Sequence, residues 1–460
     1  MRRKPTIPPL FKHQEESVRK FSTLQCGFDT SDPGTGKTRV MIELIQRTQS
    51  FIKGATLVVC PKSLMQSAWG DDIKKFAPEL VTSIAAASNR VKAFAAPADI
   101  YVTNTDAVVW LAKQPKSFFK NFVRIIVDES SAFKHRTSQR SRALNQIKKH
   151  FQYRFALTGT PNANIITDIW NQVFFLDNGQ RLGRVFSHFR RETCYPVQVG
   201  PDPRMVKWHE REHAASAIAS LIQDITVRHV FEECIDIPPN TETIVQYYAP
   251  PGQLKAYEQM RKHKVAELEN QIVTAVNAAV VMGKLLQIAS GALYDSNGNV
   301  AKVDSGRYEM ICDLIESRKQ CVVFFQWKHQ RDELVKQFEK AGITFTVLDG
   351  ETPAKDRAEN VRLFQAGFYR VMLAHPQSAA HGLTLTRATT TIWASPSHNV
   401  EHVLQGNRRT YRAGQTQKTE TIYILAAGTI EAEVHRKMSE KNIRQGDMLE
   451  WMKSLFKGGL

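Results

Sequence analysis

One short loop contains the side chains best suited to phosphate chemistry. Residues 31–38 read SDPGTGKT; they follow an apolar run at 24–28, and a helix-patterned segment begins near Val40. Glycines leave room for backbone N–H groups around phosphate oxygens, and a helix N-terminus adds partial positive charge. This context predicts a nucleotide phosphate-binding loop. The residues that it assigns to the nucleotide are Pro33, Gly34, Thr35, Gly36, Lys37 and Thr38.

Two side chains of this loop have separate tasks. Lys37 would reach the β- and γ-phosphates, and the Thr38 hydroxyl would hold Mg²⁺. The strict loop pattern has glycine where this chain has Ser31. A chance glycine-rich turn before a helix is therefore the alternative interpretation.

A pair of adjacent acids follows another apolar run. Residues 125–127 are Ile-Ile-Val, and Asp128 and Glu129 come next. Ligands of open parallel sheets bind at the carboxyl edge of the strands, so both carboxylates are expected at a ligand site. Asp128 is expected to hold Mg²⁺, and Glu129 to orient and deprotonate the attacking water. The alternative is an Asp-Glu pair that caps the following helix.

Two arginines late in the chain suit charge stabilisation during phosphoryl transfer. Gln405, Arg409 and Arg412 fall at i, i+4 and i+7, so a helix would present them on one face. A guanidinium is planar and permanently charged, and it can stabilise a transferring phosphoryl group. The alternative is a solvated basic helix face.

Composition limits the class of protein and its partners. The 460 residues include 62 Lys and Arg against 45 Asp and Glu, which gives a net charge of +17. Such a surface favours a polyanion such as nucleic acid. The sequence has neither a long apolar span nor the apolar core of a signal peptide, so we expect no membrane partner. Six scattered cysteines without a C-x-x-C pair favour a reducing interior.

Strand-like and helix-like segments alternate in two series. The first series has strands near 55–60, 100–103, 123–127 and 155–157, and the second near 321–325, 344–348, 371–374, 390–394 and 421–425. Alternation of this kind predicts an α/β fold with mostly parallel sheets. The pattern breaks at 235–240, and a helix-compatible stretch follows over about 253–290. We therefore predict an ATP-binding lobe at 1–236, a linker with a small helical insertion at 237–300, and a second lobe at 301–460.

A cluster of histidines and acids has spacing that suits a metal. His209 and His213 stand four residues apart, with Glu210 and Glu212 between them. Because no third ligand is evident, the favoured interpretation is an exposed helix face.

Taken together, these segments resemble superfamily-two helicase-like ATPases of the Swi/Snf family, whose lobes are two tandem RecA-like domains. In the first lobe, residues 12–14 resemble the adenine-sensing motif, which implies a role for Gln14. Residues 58–64 with Trp69, and then 101–104, resemble two DNA-contacting motifs. Residues 157–161 match the motif that couples hydrolysis to domain motion. The implied DNA-contacting residues are Lys62, Ser63, Thr103 and Asn104, and the implied coupling residues are Thr158, Gly159 and Thr160.

The second lobe carries matching motifs in the family's order. Residues 324–327 and 348–352 resemble counterparts of the DNA-contacting motifs, and residues 381–386 resemble a motif that touches both DNA and the nucleotide. Residues 428–431 match the closing segment. The implied DNA contacts are Gln326, Arg357 and Thr384, and the implied nucleotide contacts are Gly382 and Gln405.

Departures from the family pattern point to a subgroup. Ser131 stands where histidine is usual, Gln377 where arginine is common, and Thr384 where asparagine is common. These variants resemble the short prokaryotic and phage members. The altered motif leaves its carried-over DNA contacts open.

The resemblance implies an ATP- and Mg²⁺-dependent motor that moves on duplex, forked or branched DNA. It would grip mainly backbone phosphates and remodel DNA by branch migration, fork regression, annealing or protein displacement. Alternatives are a strand-separating helicase of DNA or RNA, a DNA-binding module without activity, and a subunit that works with a partner such as a nuclease. Replication or recombination proteins are the expected partners, in the cytoplasm of a prokaryote or infected host, or in a nucleus if the source is eukaryotic.

Overall fold

A computed structural model describes residues 7–162, 165–200, 202, 205–269, 275–294, 300–302, 306–379, 383–397 and 399–440. The chain divides into two compact units, one reaching Asp236 and the other running from Ile237 to Glu440. Among the described residues, no helix has the length and apolar content that a bilayer crossing requires.

Strands and short helices alternate over residues 26–157 of the first unit. Its strands are β1 Cys26–Asp29, β2 Ala55–Cys60, β3 Thr82–Ala85, β4 Ile100–Asn104, β5 Phe122–Asp128, β6 Tyr153–Leu157, β7 Cys194–Gln198, β8 Val206–Glu210 and β9 Thr226–Val227. Its α-helices are α1 Lys12–Ser22, α2 Lys37–Thr48, α3 Asp71–Phe76, α4 Arg90–Ala95, α5 Ala107–Leu111, α6 Gln139–Ile147, α7 Ile169–Asp177, α8 Phe186–Thr193, α9 Ala214–Ile222 and α10 Phe231–Cys234. A π-helix covers Met65–Gly70, and short 3₁₀ turns cover Lys116–Phe119, Ser130–Phe133, Lys148–His150 and Ile166–Asp168.

Seven described strands of the first unit form one sheet in the order β3-β4-β2-β5-β6-β1-β9, and all of its pairs are parallel. The apolar run of β2 is buried on both sides of this sheet. Leu57 and Val59 belong to one core cluster, whereas Val58 and Cys60 belong to the other. A continuous apolar strand is typical of a parallel sheet that helices cover on both faces.

The second unit repeats this arrangement. Its strands are β10 Asn240–Tyr247, β11 Ala292–Tyr294, β12 Val300–Lys302, β13 Cys321–Phe324, β14 Phe345–Leu348, β15 Val371–Ala374, β16 Thr390–Trp393 and β17 Thr419–Ala426. Its helices are α11 Pro251–Glu269, α12 Ala275–Ala289, α13 Gly306–Glu316, α14 Lys328–Lys340, α15 Ala354–Ala366, α16 Pro376–Ala379 and α17 Val400–Asn407. Six described strands form a parallel sheet in the order β10-β17-β16-β13-β15-β14. The predicted α/β class with mostly parallel sheets is confirmed for both units.

The segment after the break at 235–240 joins the second unit. Strand β10 pairs with β17 along its whole length, from Asn240 opposite Thr419 to Tyr247 opposite Ala426. The helix-compatible stretch contains two helices, α11 and α12. Side chains from both, including Tyr257 and Ile288, lie in the core cluster of the second sheet.

A buried ion pair ties three segments of the second unit together. Arg307 and Glu431 are almost fully buried, and their side chains meet at 2.8 Å. The guanidinium also donates to the carbonyls of Ala289 and Ala394, and the Glu431 carboxylate accepts the Ala426 amide. Each charge is therefore compensated where water is excluded.

We expect Glu431→Ala to lower the free energy of unfolding by about 3–5 kcal/mol, because it leaves the Arg307 charge buried and unpaired. Urea denaturation measures this loss. The matched control is Glu433→Ala, which removes an exposed carboxylate paired with Arg436 and should leave stability unchanged. Equal effects of the two substitutions would contradict the structural role of the buried pair.

Candidate active site

The predicted phosphate-binding loop connects β1 to α2 at the carboxyl edge of the first sheet. Gly34 and Gly36 have φ values of 91° and 88°, in the region that favours glycine. A Cβ atom on Gly36 would lie 2.3 Å from Gln14 Nε2. Ser31 lacks a positive φ, and its hydroxyl accepts the His229 amide at 3.1 Å. Serine therefore fits this position without strain.

Helix α1 contacts the loop from one side. Gln14 Nε2 donates to the Thr35 carbonyl at 3.1 Å, and its Oε1 accepts the Phe11 amide at 3.1 Å. His13 Nε2 also contacts the Thr35 carbonyl, at 2.8 Å. Gln14, which the family resemblance assigns to adenine, therefore fixes the backbone of the loop.

The segment after β9 holds the other side of the loop. Arg228 pairs with Asp32 at 2.7 Å and donates to the Thr30 carbonyl at 2.7 Å. The second Asp32 oxygen accepts the Phe231 amide, and His229 contacts the Ser17 hydroxyl at 2.9 Å. Sequence analysis missed these residues, because nothing local links positions that lie about two hundred residues apart.

Lys37 lies over its own loop. Its Nζ donates to the carbonyls of Ser31 at 2.7 Å and Asp32 at 3.0 Å. These acceptors keep the ammonium group at the loop, where its charge interacts with the Asp128 carboxylate. An arriving phosphate would offer stronger, charged acceptors to the same group.

Asp128 ends β5 in a buried position. Its Oδ2 accepts the Trp69 indole N–H at 2.9 Å, and its Oδ1 accepts the Glu129 amide at 3.0 Å. Burial raises the pKa of Asp128, while the indole hydrogen bond and the Lys37 charge act in the opposite direction. Trp69, taken from sequence as part of a DNA-contacting motif, is fully buried. The structure instead places it against the acidic pair.

Glu129 adopts an unusual backbone conformation. Its φ of 52° and ψ of 57° lie in the left-handed region, which costs a non-glycine residue roughly 1–3 kcal/mol. It stands at the N-cap position of a short 3₁₀ turn but makes no side-chain capping hydrogen bond there. The position agrees with the capping alternative, whereas the side chain does not cap the turn.

One of the predicted coupling residues, Gly159, lies directly against the predicted phosphate-binding loop, and another bonds the end of β1. The Thr158 amide donates to the Asp29 carbonyl at 2.9 Å, and the Thr160 amide donates to the Thr158 hydroxyl at 3.1 Å. A Cβ atom on Gly159 would lie 2.8 Å from Cδ of Pro33. Only glycine allows this close approach.

Gln172 links the acidic pair to the coupling segment. Its Oε1 accepts the Ser130 hydroxyl at 2.7 Å, and its Nε2 donates to the Pro161 carbonyl at 2.6 Å. Gln172 is almost fully buried on α7. Sequence analysis missed this polar link, because Gln172 and Ser130 lie 42 residues apart in the chain.

Arg409 and Arg412 lie after the end of helix α17. Helix α17 ends at Asn407, so Arg409 and Arg412 do not continue the helical face of Gln405, and that expectation is wrong. The helix stops where the Asn407 side chain bonds Trp393 at 2.9 Å and Tyr423 at 2.8 Å.

Both guanidinium groups nevertheless converge on one carbonyl. Arg409 donates to the Leu383 carbonyl at 3.2 Å, and Arg412 donates to it at 2.7 Å. Arg409 also donates to the Gln405 carbonyl at 2.9 Å. The nearby Gly382 lies outside the described residues.

Two family models match this chain. One, described as the SNF2-related domain, matches residues 13–290, and another, the helicase conserved C-terminal domain, matches residues 306–414. The chain belongs to the SNF2-related family. The resemblance inferred from the motifs is confirmed, and this SNF2-related protein is an enzyme of the helicase-like ATPase class.

Its relatives differ in length. The SNF2-related chain is 27% identical over 443 residues to protein p41 of Acyrthosiphon pisum secondary endosymbiont phage 1, which covers 91% of this chain and 93% of p41. It is 24% identical over 456 residues to an ATP-dependent helicase of Mycoplasma pneumoniae, covering 95% of this chain and 42% of that protein. The solved Sulfolobus solfataricus SWI2/SNF2 ATPase core in complex with dsDNA aligns at 20% identity and a TM-score of 0.45, over 98% of this chain and 96% of that one.

The DNA-contacting residues predicted in the first unit differ in accessibility. Lys62 and Ser63 are exposed just beyond β2. Thr103 is fully buried, and its hydroxyl donates to the Ala85 carbonyl at 2.8 Å, so this side chain is not accessible to DNA. Asn104 is half-buried and accepts a hydrogen bond from Arg90 at 3.1 Å.

In the second unit, Thr384 is exposed and Gln326 is half-buried. Arg357 donates to the carbonyls of Thr352 at 3.0 Å and Asp349 at 2.6 Å. Arg357 therefore stabilises the loop after β14 through these two hydrogen bonds.

We expect Trp69→Phe to raise the Mg²⁺ concentration for half-maximal ATP hydrolysis about tenfold, because loss of a partner that orients a metal ligand typically costs 10–100-fold in affinity. The indole N–H is removed while an aromatic ring is kept. Mn²⁺ binding in the presence of ADP, followed by electron paramagnetic resonance, gives a measure that needs no turnover.

The matched control is Trp110→Phe, which changes a tryptophan stacked on Phe94 in the same unit. It should leave the metal requirement unchanged. A normal metal requirement in Trp69→Phe would show that Asp128 needs no indole donor.

Proposed function

We propose that this SNF2-related protein is an ATP-driven motor that moves on duplex or branched DNA and remodels it. The observation that carries this proposal is the direct contact between the nucleotide loop and the coupling segment, at Pro33 and Gly159. Because the two segments pack against each other, we expect a change in the loop on ATP binding or hydrolysis to shift the residues that follow β6.

The chain's own residues supply the binding and proton steps. Loop amide groups and Lys37 hold the phosphates, and Glu129 takes a proton from the attacking water. Thr38 and Asp128 offer the hard oxygen donors that suit Mg²⁺, which would neutralise charge on the β- and γ-phosphates. Arg409 and Arg412 stabilise the transferring phosphoryl group when they reach it.

DNA is the polyanion that the charge and the family favour. The net charge of +17 suits a phosphate backbone, and Lys62, Ser63 and Thr384 are exposed at positions that the family uses for DNA. Contacts of this kind read little sequence and weaken steeply with salt. Branch migration, fork regression, annealing or displacement of bound protein would follow from directed movement.

The deciding measurement is steady-state ATP hydrolysis without nucleic acid and with single-stranded DNA, duplex DNA, a four-way junction and RNA. We expect duplex or junction DNA to stimulate hydrolysis most strongly. Stimulation mainly by single strands or RNA would favour the strand-separating helicase instead. No stimulation by any DNA would contradict the proposed motor.

We expect Lys37→Ala and Glu129→Gln each to abolish hydrolysis, because they remove the phosphate-binding cation and the base. Glu129→Gln should still bind nucleotide, as fluorescent ADP analogues can measure. The control is Lys53→Ala, an exposed lysine beyond α2 that should leave turnover unchanged. Normal turnover in either site variant, with the fold intact, would overturn the site assignment.

Arg412→Ala should slow turnover on the order of 10³-fold or more, with little loss of nucleotide affinity, since an arginine finger acts on the transition state. The control is Arg362→Ala, which changes an exposed arginine paired with Glu359 in the same unit. Parallel loss of turnover and thermal stability would show that the bond from Arg412 to Leu383 is its main role.

A further inference from the structure

A two-stranded ribbon stands apart from the seven-stranded sheet of the first unit. Strands β7 and β8 pair antiparallel and form their own sheet, with Tyr195 opposite His209 and Val197 opposite Lys207. The region of His209 is thus a strand, so the predicted exposed helix face is wrong there. Side chains of a strand alternate between faces, so these four residues share one side, the outer face of the ribbon.

The inner face fixes the ribbon to the body of the unit. Trp208 packs against the first core cluster, and the Arg190 guanidinium lies 4.1 Å from its ring centroid. Cys194 is fully buried, and Glu210 accepts the Ile166 amide at 2.8 Å. Ile166 begins the 3₁₀ turn that follows the coupling segment, so the ribbon is anchored next to the moving part of the motor.

The outer face presents apolar and aromatic side chains to solvent. Tyr195 is 43% exposed and Val197 38%, and Val199, just beyond β7, is 58% exposed. The Tyr195 and His209 rings stack with their centroids 5.9 Å apart. A solvated face of an antiparallel pair is normally polar, so adjacent exposed apolar side chains indicate a binding surface.

The charged side chains on the outer face indicate which kind of molecule it binds. Lys207 and His209 lie on it, and the Arg211 guanidinium is 6.0 Å from the Tyr195 ring. The one carboxylate within the two strands, Glu210, belongs to the inner face. Glu192 and Glu212 lie outside the strands. A face that combines an exposed ring with cations suits nucleic acid, whose bases stack and whose phosphates pair with cations.

We propose that the outer face of this ribbon binds unpaired nucleotides at a DNA branch. Tyr195 stacks on an exposed base, and Lys207 and Arg211 contact the adjoining phosphates. In an intact duplex each base is covered by its neighbours, so only an unpaired base offers its face to this ring. The inference rests on the proposed DNA motor, and it would give that motor a preference for forks over plain duplex.

The test uses the full chain and a forked DNA with 2-aminopurine at the first unpaired position. Stacking on Tyr195 should quench the fluorescence of this base, and titration gives the affinity without ATP. We expect Tyr195→Ala to lose the quenching and to bind the fork roughly tenfold more weakly. Tyr195→Phe, which keeps the ring, should behave as wild type.

Lys207→Ala should weaken fork binding and make it less sensitive to salt.

The matched control is Tyr248→Ala, a tyrosine that is 76% exposed in the second unit, and it should change nothing. Hydrolysis stimulated by blunt duplex should be the same in wild type and Tyr195→Ala. Wild-type fork affinity and quenching in Tyr195→Ala would overturn the proposal, and so would an equal loss on blunt duplex. A changed oligomeric state with unchanged fork binding would show that the ribbon contacts a second copy, which also overturns it.

Failure of the motor proposal gives a different result. A wild-type chain that no DNA stimulates refutes the motor, whereas quenching that depends on Tyr195 would still establish the ribbon as a DNA contact.

Discussion

The backbone path between β1 and α2 is the constraint on which the candidate site depends. The carbonyl groups of Thr30, Ser31, Asp32 and Thr35 all accept hydrogen bonds from protein side chains. These donors come from α1, from the loop's own lysine and from the segment after β9. A loop held in this way keeps its shape without a nucleotide, so less conformational entropy is lost when phosphate binds.

The same loop is one end of a connected network of contacts. It contacts the coupling segment through Pro33 and Gly159, and that segment reaches the acidic strand through Gln172. Trp69 adds a third connection, from the segment after Lys62 and Ser63 to Asp128. Residues that we propose to bind the nucleotide therefore lie a few contacts from Lys62 and Ser63, which we propose to contact DNA. Mutual regulation of two sites requires a connection of this kind.

Solvent accessibility divides the residues of the DNA-associated motifs into two groups: those held within the protein and those that DNA could reach. Thr103 and Trp69 are buried, and Arg357 is bound to carbonyls of its own loop, although all three stand in motifs associated with DNA. Lys62, Ser63 and Thr384 remain exposed. The ribbon of β7 and β8 adds an exposed aromatic and basic face outside those motifs. In the motor that we propose, this face would add DNA affinity to that of the exposed motif residues.

The sequence alone determined the features that depend on neighbouring residues. The phosphate loop, the acidic pair and strands such as Ala55–Cys60 and Val371–Ala374 were predicted at their observed positions, because glycine conformation and apolar runs are local properties. Tertiary structure decided the rest. The bond from Arg228 to Asp32, the end of α17 at Asn407, the burial of Thr103 and the indole donor to Asp128 all depend on partners distant in sequence. Such contacts arise only when the sheet brings separate strands to one edge, so no local pattern could predict them.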